Sequence, residues 1–444
     1  MSEQTYPIPP LAQGLPLVGS ILALANDAQD FFYSQYRKLG NVFRVRAFNQ
    51  EFKVLAGPEI NILMATQMDA FTAWDIWKPV IGDFGGRKTM TMLEGPEHAR
   101  LRRLMRQSFS RETLITNIPQ VLDLTTSFLK SHQLGERVQA VYFMQHLTAN
   151  ILGALSNERL PGEYFDDIVT WWNALINVHL VHLKPASSLQ TPAYLRARSR
   201  AKEFATLVFM QRKANRPAGD EDNFLDNLAD AVEHDPEFMN QDEALFLTLA
   251  GYFAGLDTVA NVSAFMLYEL LSHPEILAAA RAEADLAFAD GLPSAESFRK
   301  MPTLHAAAQE TLRLYPVAGA LGRIAARDFE FGGYTLRKGE QFIVATAAPH
   351  FSTKFYAEPY SFDIERYHEP RNEHKQRGVY APFGAGSHTC LGAGLAEVQI
   401  MLAVAAMLHY ADFSMDPPNY KLKKVYTPSL TPKDFVIKFS AWRH

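Results

Sequence analysis

The chain has 444 residues, 48% of them hydrophobic and 12% aromatic, enough to bury a sizeable core in one large domain or two ordinary ones. Its formal net charge of −5 at pH 7 gives no basic surplus for binding nucleic acid. A single cysteine excludes an internal disulfide framework and any paired-cysteine zinc or redox site, so that thiol either packs inertly or acts alone.

In chain order, Pro7, Pro9 and Pro10 predict an extended lead-in over residues 1–34. The apolar patch from Leu15 to Ala25 is interrupted by Gly19 and is too short to span a bilayer. The first basic residue is Arg37, so the patch lacks the charged flank of a signal peptide. Residues 41–48 and 51–56 alternate around Asn49-Gln50, which predicts a hairpin. Phe71, Trp74, Trp77 and Phe84 make an aromatic-rich stretch. His98 and Arg102 are i, i+4 and share a helix face, while Arg103, Arg106 and Arg111 read as solvated cations or a basic docking face. His179 and His182 have no third metal ligand nearby in sequence, and residues 216–222 read as a polar loop.

From Ala244 to Tyr268 the only charge is Asp257, which predicts a long helix, apolar all round and buried. A membrane span is the poorer reading, because a mid-bilayer aspartate costs roughly 2.5–3.5 kcal/mol. Glu310 and Arg313 at i, i+3 predict an ion pair, which the neighbouring Ala306, Leu312 and Leu314 place in the interior. Residues 328–344 and 436–440 predict further β structure, making the chain mainly α with small β-sheets.

The lone thiol lies in Phe383-Gly-Ala-Gly-Ser-His-Thr-Cys390-Leu-Gly392. An isolated cysteine is ordinarily a small buried hydrophobe. Here glycines at 384, 386, 392 and 394 free space around the sulfur for a large flat ligand. The apolar run from Leu391 to Leu408 predicts a helix, putting the sulfur at its N-terminus, where thiolate is favoured over thiol. Such a thiolate, capped by Phe383, suits a metal ligand.

Phe383-x-x-Gly386-x-x-x-Cys390-x-Gly392 resembles the haem-ligand signature of the cytochrome P450 haem-thiolate monooxygenases. The resemblance runs from about residue 35 to the C-terminus and implies that family's fold, one domain over residues 1–444 with a long central helix over a haem b. It makes Cys390 the iron ligand, with Phe383, Gly386, Leu391 and Gly392 against the cofactor. His98, Arg102, Arg323 and His388 would contact the propionates. Ala254-Gly255-Leu256-Asp257-Thr258 resembles the oxygen-activation motif: Gly255 would admit dioxygen or a flat ligand, and Asp257 with Thr258 would relay protons. Glu310, Arg313 and Arg366 would support the cysteine loop structurally, with Ile364 standing where proline is commoner.

The implied activity inserts one oxygen atom from dioxygen into a C–H bond of a hydrophobic small molecule, such as a fatty acid, terpenoid or steroid. Phe84, Ala250, Phe253, Ala254, Val317, Ala318 and Leu430 would line its pocket. Electrons would come from a separate ferredoxin or flavodoxin with its reductase, in a soluble, bacterial-type, cytoplasmic enzyme without a membrane span. The rivals are a peroxide-driven peroxygenase, a haem-thiolate isomerase, or a non-catalytic haem or gas-binding sensor. Asp257-Thr258 argues against the first two, and the chain shows no signalling domain for the third.

Overall fold

A computed structural model describes residues 7–216, 223–289, 291, 293–294, 296–426 and 429–443. Residues 217–222 of the expected polar loop therefore lie outside the described residues. The lead-in pairs with the first hairpin strand through Ala12 N–H to Arg44 O and Arg44 N–H to Pro10 O, then turns at residues 16–18, where Leu15 and Gly19 bond to each other. The chain is helical over Ile21–Leu39, not extended to residue 34. Phe31 and Phe32 explain the difference. They bury against Phe43, Val45 and Val54 of the hairpin, a tertiary gain that the upstream prolines do not foretell.

The hairpin forms as the alternation predicts, Val42–Ala47 antiparallel to Gln50–Ala56. It opens a five-stranded sheet in the order Val42–Ala47, Gln50–Ala56, Gln341–Ala345, Leu321–Ala325, Phe71–Thr72. Arg137–Gln139, Val436–Trp442 and Ala411–Asp416 form a three-stranded sheet, and two small hairpins complete the β structure. Helices supply the rest, so the molecule is mainly α with small sheets.

The predicted central helix is buried but not continuous. It runs as Gln241–Thr248, Ala250–Gly255 and Thr258–Ser272, with a bend of 44° at the first break. Each break has a side-chain cause. Asn157 Nδ2 donates to Thr248 O at 3.0 Å, inserting a foreign donor into the ladder beside Leu249. Thr258 Oγ1 donates to Ala254 O, the carbonyl that a regular helix reserves for the Thr258 N–H. The N-terminus is fixed by a capping box between Asn240 and Glu243.

The helix after the cysteine runs over Ala393–Tyr410 and packs on Pro274–Phe288, Thr258–Ser272 and Ile118–Lys130. With the turn before it, Gly386–Tyr410 is long and apolar enough to cross a membrane, and 67% of its most apolar window is buried inside the protein.

Candidate active site

The Phe383–Gly392 loop closes on itself through Cys390 N–H to Phe383 O at 2.9 Å and Thr389 Oγ1 to Gly386 O at 2.8 Å. Gly386 has φ +81°, and a Cβ there would stand 2.2 Å from the backbone O of Met64, so only glycine fits. Gly392 differs, because a Cβ there would meet nothing within 4 Å. The glycines thus divide between packing the loop and leaving space beside the sulfur.

Cys390 is accessible, yet it lies in a concavity deep among protein atoms. Burial pushes its thiol up, against the opposing pull of the Gly392 N–H and the Arg102 guanidinium. The Gly392 N–H at the helix terminus pulls toward thiolate as expected, and burial outweighs it. A bound metal ion would favour thiolate, since a coordinating thiol is deprotonated outright.

Basic groups gather around the same loop. Arg102, on the Gly95–Arg106 helix, donates Nη1 to Thr389 O at 2.9 Å. Arg323 is buried and its one hydrogen bond runs to Gly322 O at 2.7 Å, without a carboxylate partner among the described residues. Burial pushes its pKa down while Glu94 opposes. His98 and His388 lie with ring centroids 4.4 Å apart. His388 Nε2 stands 3.0 Å from both carboxylate oxygens of Glu94. His98 Nε2 is buried without a partner among the described residues, and burial, then His388 and Arg102, lower its pKa to about 4. A buried guanidinium without an ion pair and an orphaned imidazole nitrogen each call for a partner, and an anion suits the guanidinium. Haem propionates fit that set. Glu94, which the sequence did not single out, competes for His388.

The central helix has two unlike faces. Ala250 and Thr258 are half-buried and Ala254 is exposed, whereas their neighbours Gly251, Tyr252, Phe253, Gly255, Leu256 and Val259 are buried. At four-residue spacing the three form one open stripe. Its only polar side chain, Thr258, has its hydrogen turned to Ala254 O and so presents lone pairs outward. Asp257 points elsewhere. It is buried, accepts from Gln145 Nε2 at 3.1 Å, and burial raises its carboxyl to about 6 despite that bond. Gly255 also lies on the packed face. A Cβ there would stand 2.2 Å from Leu152 Cδ1, so this glycine admits a neighbouring helix, not dioxygen or a flat ligand as the motif implied.

Glu310, Arg313 and Arg366 meet with no exposed surface. Arg313 grips both Glu310 oxygens at 2.7 and 2.8 Å, and Arg366 Nε donates to Glu310 Oε1 at 3.1 Å. The remaining donors bind carbonyls, including His350 O and Pro359 O at 2.7 Å each, and the Glu373 carboxylate, which accepts from Arg366 Nη1 at 2.9 Å. His350 itself was not legible in the sequence. Burial, and then Arg313, lower its pKa to about 3, so it is neutral and accepts from Ala381 N–H at 3.0 Å through Nε2. Its Nδ1–H therefore donates to Arg313 O at 3.1 Å. One imidazole thus ties the arginine cluster to the chain two residues before Phe383.

The family description "Cytochrome P450" matches residues 9–439. This chain belongs to the cytochrome P450 family. A putative cytochrome P450 136 of Mycobacterium tuberculosis is 26% identical over 430 residues, 95% of this chain and 86% of that protein. A sterol 14alpha-demethylase of Mycolicibacterium vanbaalenii is 36% identical over 228 residues, half of each chain. Among solved structures, the retinoic acid-bound cyanobacterial CYP120A1 superposes with a TM-score of 0.81 at 24% identity, covering 98% of this chain and 99% of its own. Cytochromes P450 are haem monooxygenases that hold iron through a cysteine thiolate, bind hydrophobic substrates and use dioxygen with redox partners.

Not every expected pocket residue of this cytochrome P450 faces the open side. Ala250, Ala254, Val317 and Ala318 are accessible. Phe84, 1% exposed, packs on Trp171 and Phe246. Phe253 stacks on Trp172 with centroids 4.4 Å apart. Leu430 is fully buried against Tyr33, Phe265 and Leu314. In each case a large apolar side chain gains more from the core than from a lining position.

Proposed function

We propose that the chain is a single-domain cytoplasmic monooxygenase that hydroxylates a hydrophobic small molecule of fatty acid, terpenoid or steroid type. It would receive electrons from a separate ferredoxin or flavodoxin with its reductase. The observation that carries this reading is the open stripe of the central helix, apolar at Ala250 and Ala254 and polar only at Thr258. Val317 and Ala318 add apolar surface without an ionisable group, and a relative named for sterol demethylation supports a lipid-like substrate.

Haem, when bound, supplies dioxygen reduction and the oxidising equivalent for C–H cleavage. Cys390, the chain's one thiol, would ligate the iron. Arg102, Arg323, His98 and His388 would hold the propionates, with His98 neutral and donating one hydrogen. Phe383, Gly386, Leu391 and Gly392 shape the loop that shields the sulfur. Ala250 and Ala254 orient the substrate by apolar contact and exclude water from its reacting carbon. Thr258, its own hydrogen occupied, accepts a hydrogen bond from a proton donor on the open side. Asp257, protonated below about pH 6, stores the proton.

Product formed per reductant consumed tests this reading, with hydrogen peroxide assayed in parallel. Thr258→Ala should keep substrate binding and reductant consumption while more of the reductant emerges as peroxide. Unchanged coupling in Thr258→Ala, together with an unchanged rate in Asp257→Asn, would reject the relay.

A further inference from the structure

The Asp257 carboxyl is enclosed by an uncharged cage. Gln145 Nε2, from the Ala140–Leu152 helix, holds Oδ1 at 3.1 Å, while Oδ2 is buried with no partner among the described residues. One turn on, Asn261 uses its amide nitrogen on the hairpin of Lys424–Tyr426 and Leu430–Pro432, 2.9 Å from both Ser429 Oγ and Thr431 Oγ1. Its own Oδ1 is left buried and without a partner among the described residues. Asp257 and Asn261 at i, i+4 share a helix face, so two acceptor oxygens sit on one buried surface with no donor for either among the described residues. A water, with two hydrogens, is the smallest donor that serves both.

Among the described residues no charged group acts on the carboxyl. The Ala140–Leu152 helix offers Gln145 and Thr148, with His146 turned instead to Tyr142 and Phe165. The hairpin offers Ser429, whose Oγ reaches Asp257 O at 3.5 Å, and Thr431. Burial and Gln145 are accordingly the two influences on the carboxyl.

We propose that Gln145 and Asn261 are positioning residues for the Asp257 proton, Gln145 by fixing the carboxyl through Oδ1 and Asn261 by keeping one water at Oδ2. The proposal rests on the relay reading above and names the groups that make it work in this chain. Gln145 donates to the ionised carboxylate, so losing it favours the protonated acid. The same holds for the water at Oδ2.

The carboxyl C=O band of Asp257 reads this without turnover. It is recorded by infrared difference spectroscopy on the holoenzyme over roughly pH 4 to 8, with Asp257→Asn identifying the band. Gln145→Met keeps the side-chain length and removes the donor, and should move the midpoint up by about one to two pH units. Asn261→Leu should move it in the same direction. The pH profile of turnover should follow the band in each variant. A midpoint unmoved in both variants overturns the proposal whatever the turnover does. A midpoint that moves while the turnover profile stays fixed overturns the relay, and with it the positioning role. If Gln145→Met does not fold, Gln145→Asn, whose amide stops one methylene short, gives the same reading.

Discussion

Cys390 and Asp257 show how far a residue's environment can oppose its apparent chemistry. At Cys390 burial pushes the thiol up, against the pull of the Gly392 N–H and the Arg102 guanidinium. Replacing Cys390 by His should leave the chain able to fold but remove the strongly red-shifted Soret band of the ferrous carbonyl complex. Persistence of that band would reassign the ligand. Asp257 has a folded pKa of about 6 against an ordinary value of 3.8, raised by desolvation. A group raised on folding contributes stability that is full below its unfolded pKa and is lost as pH rises through its folded pKa. The wild type should therefore gain on Asp257→Asn as pH falls through about 6 and level off below about 4, by at most about 3 kcal/mol. Melting temperatures of the pair across that window check the sign. The sequence singled out both residues, because a lone thiol and a lone charge are visible as exceptions. What surrounds each was not visible, since Gln145 lies 112 positions from Asp257 and nothing in its own neighbourhood marks it.

At the scale of elements, glycines that look alike in the sequence do different work. Gly255→Ala would press its Cβ on the tip of Leu152, a flexible side chain that can turn aside, so the cost should be about 1 kcal/mol. Gly386→Ala meets the Met64 carbonyl from a left-handed backbone conformation, and neither can yield cheaply. Chemical denaturation should rank Gly386→Ala as clearly the more damaging. Equal losses would mean that the two backbones relax alike. The hairpin and the helix after the cysteine were legible from alternation and apolar runs, because those patterns are local. The breaks in the central helix were not. They follow from Asn157 and from a hydroxyl that takes a carbonyl within its own helix, and composition reports neither.

Across the whole molecule, the buried Glu310, Arg313 and Arg366 join a helix to the irregular chain that leads to the cysteine loop. The pairing of Glu310 with Arg313 was readable from i, i+3 spacing, and the third member from the resemblance. The onward link through His350 was not, because a histidine after Pro349 carries no local signature. Glu310→Ala strands the buried Arg313 guanidinium and leaves Arg366 with Glu373 alone, which should cost on the order of 3–5 kcal/mol. Because a tightly bound ligand stabilises only the folded state, the loss should show as a low yield of haem-loaded protein before it shows in turnover. A well-expressed, haem-replete Glu310→Ala variant would contradict this account.

The two faces of the segment from Ala250 to Thr258 place different demands on inheritance. Positions 251, 252, 253, 255 and 256 are enclosed, and change there is paid in folding. Positions 250 and 254 lie on the accessible face, so larger residues there should be accepted without loss of the fold and, under the function proposed above, would alter which molecules fit. Within one short stretch, then, lineages can drift in substrate preference every fourth residue while the intervening residues hold the architecture constant. That separation lets one scaffold change its diet without first losing its shape.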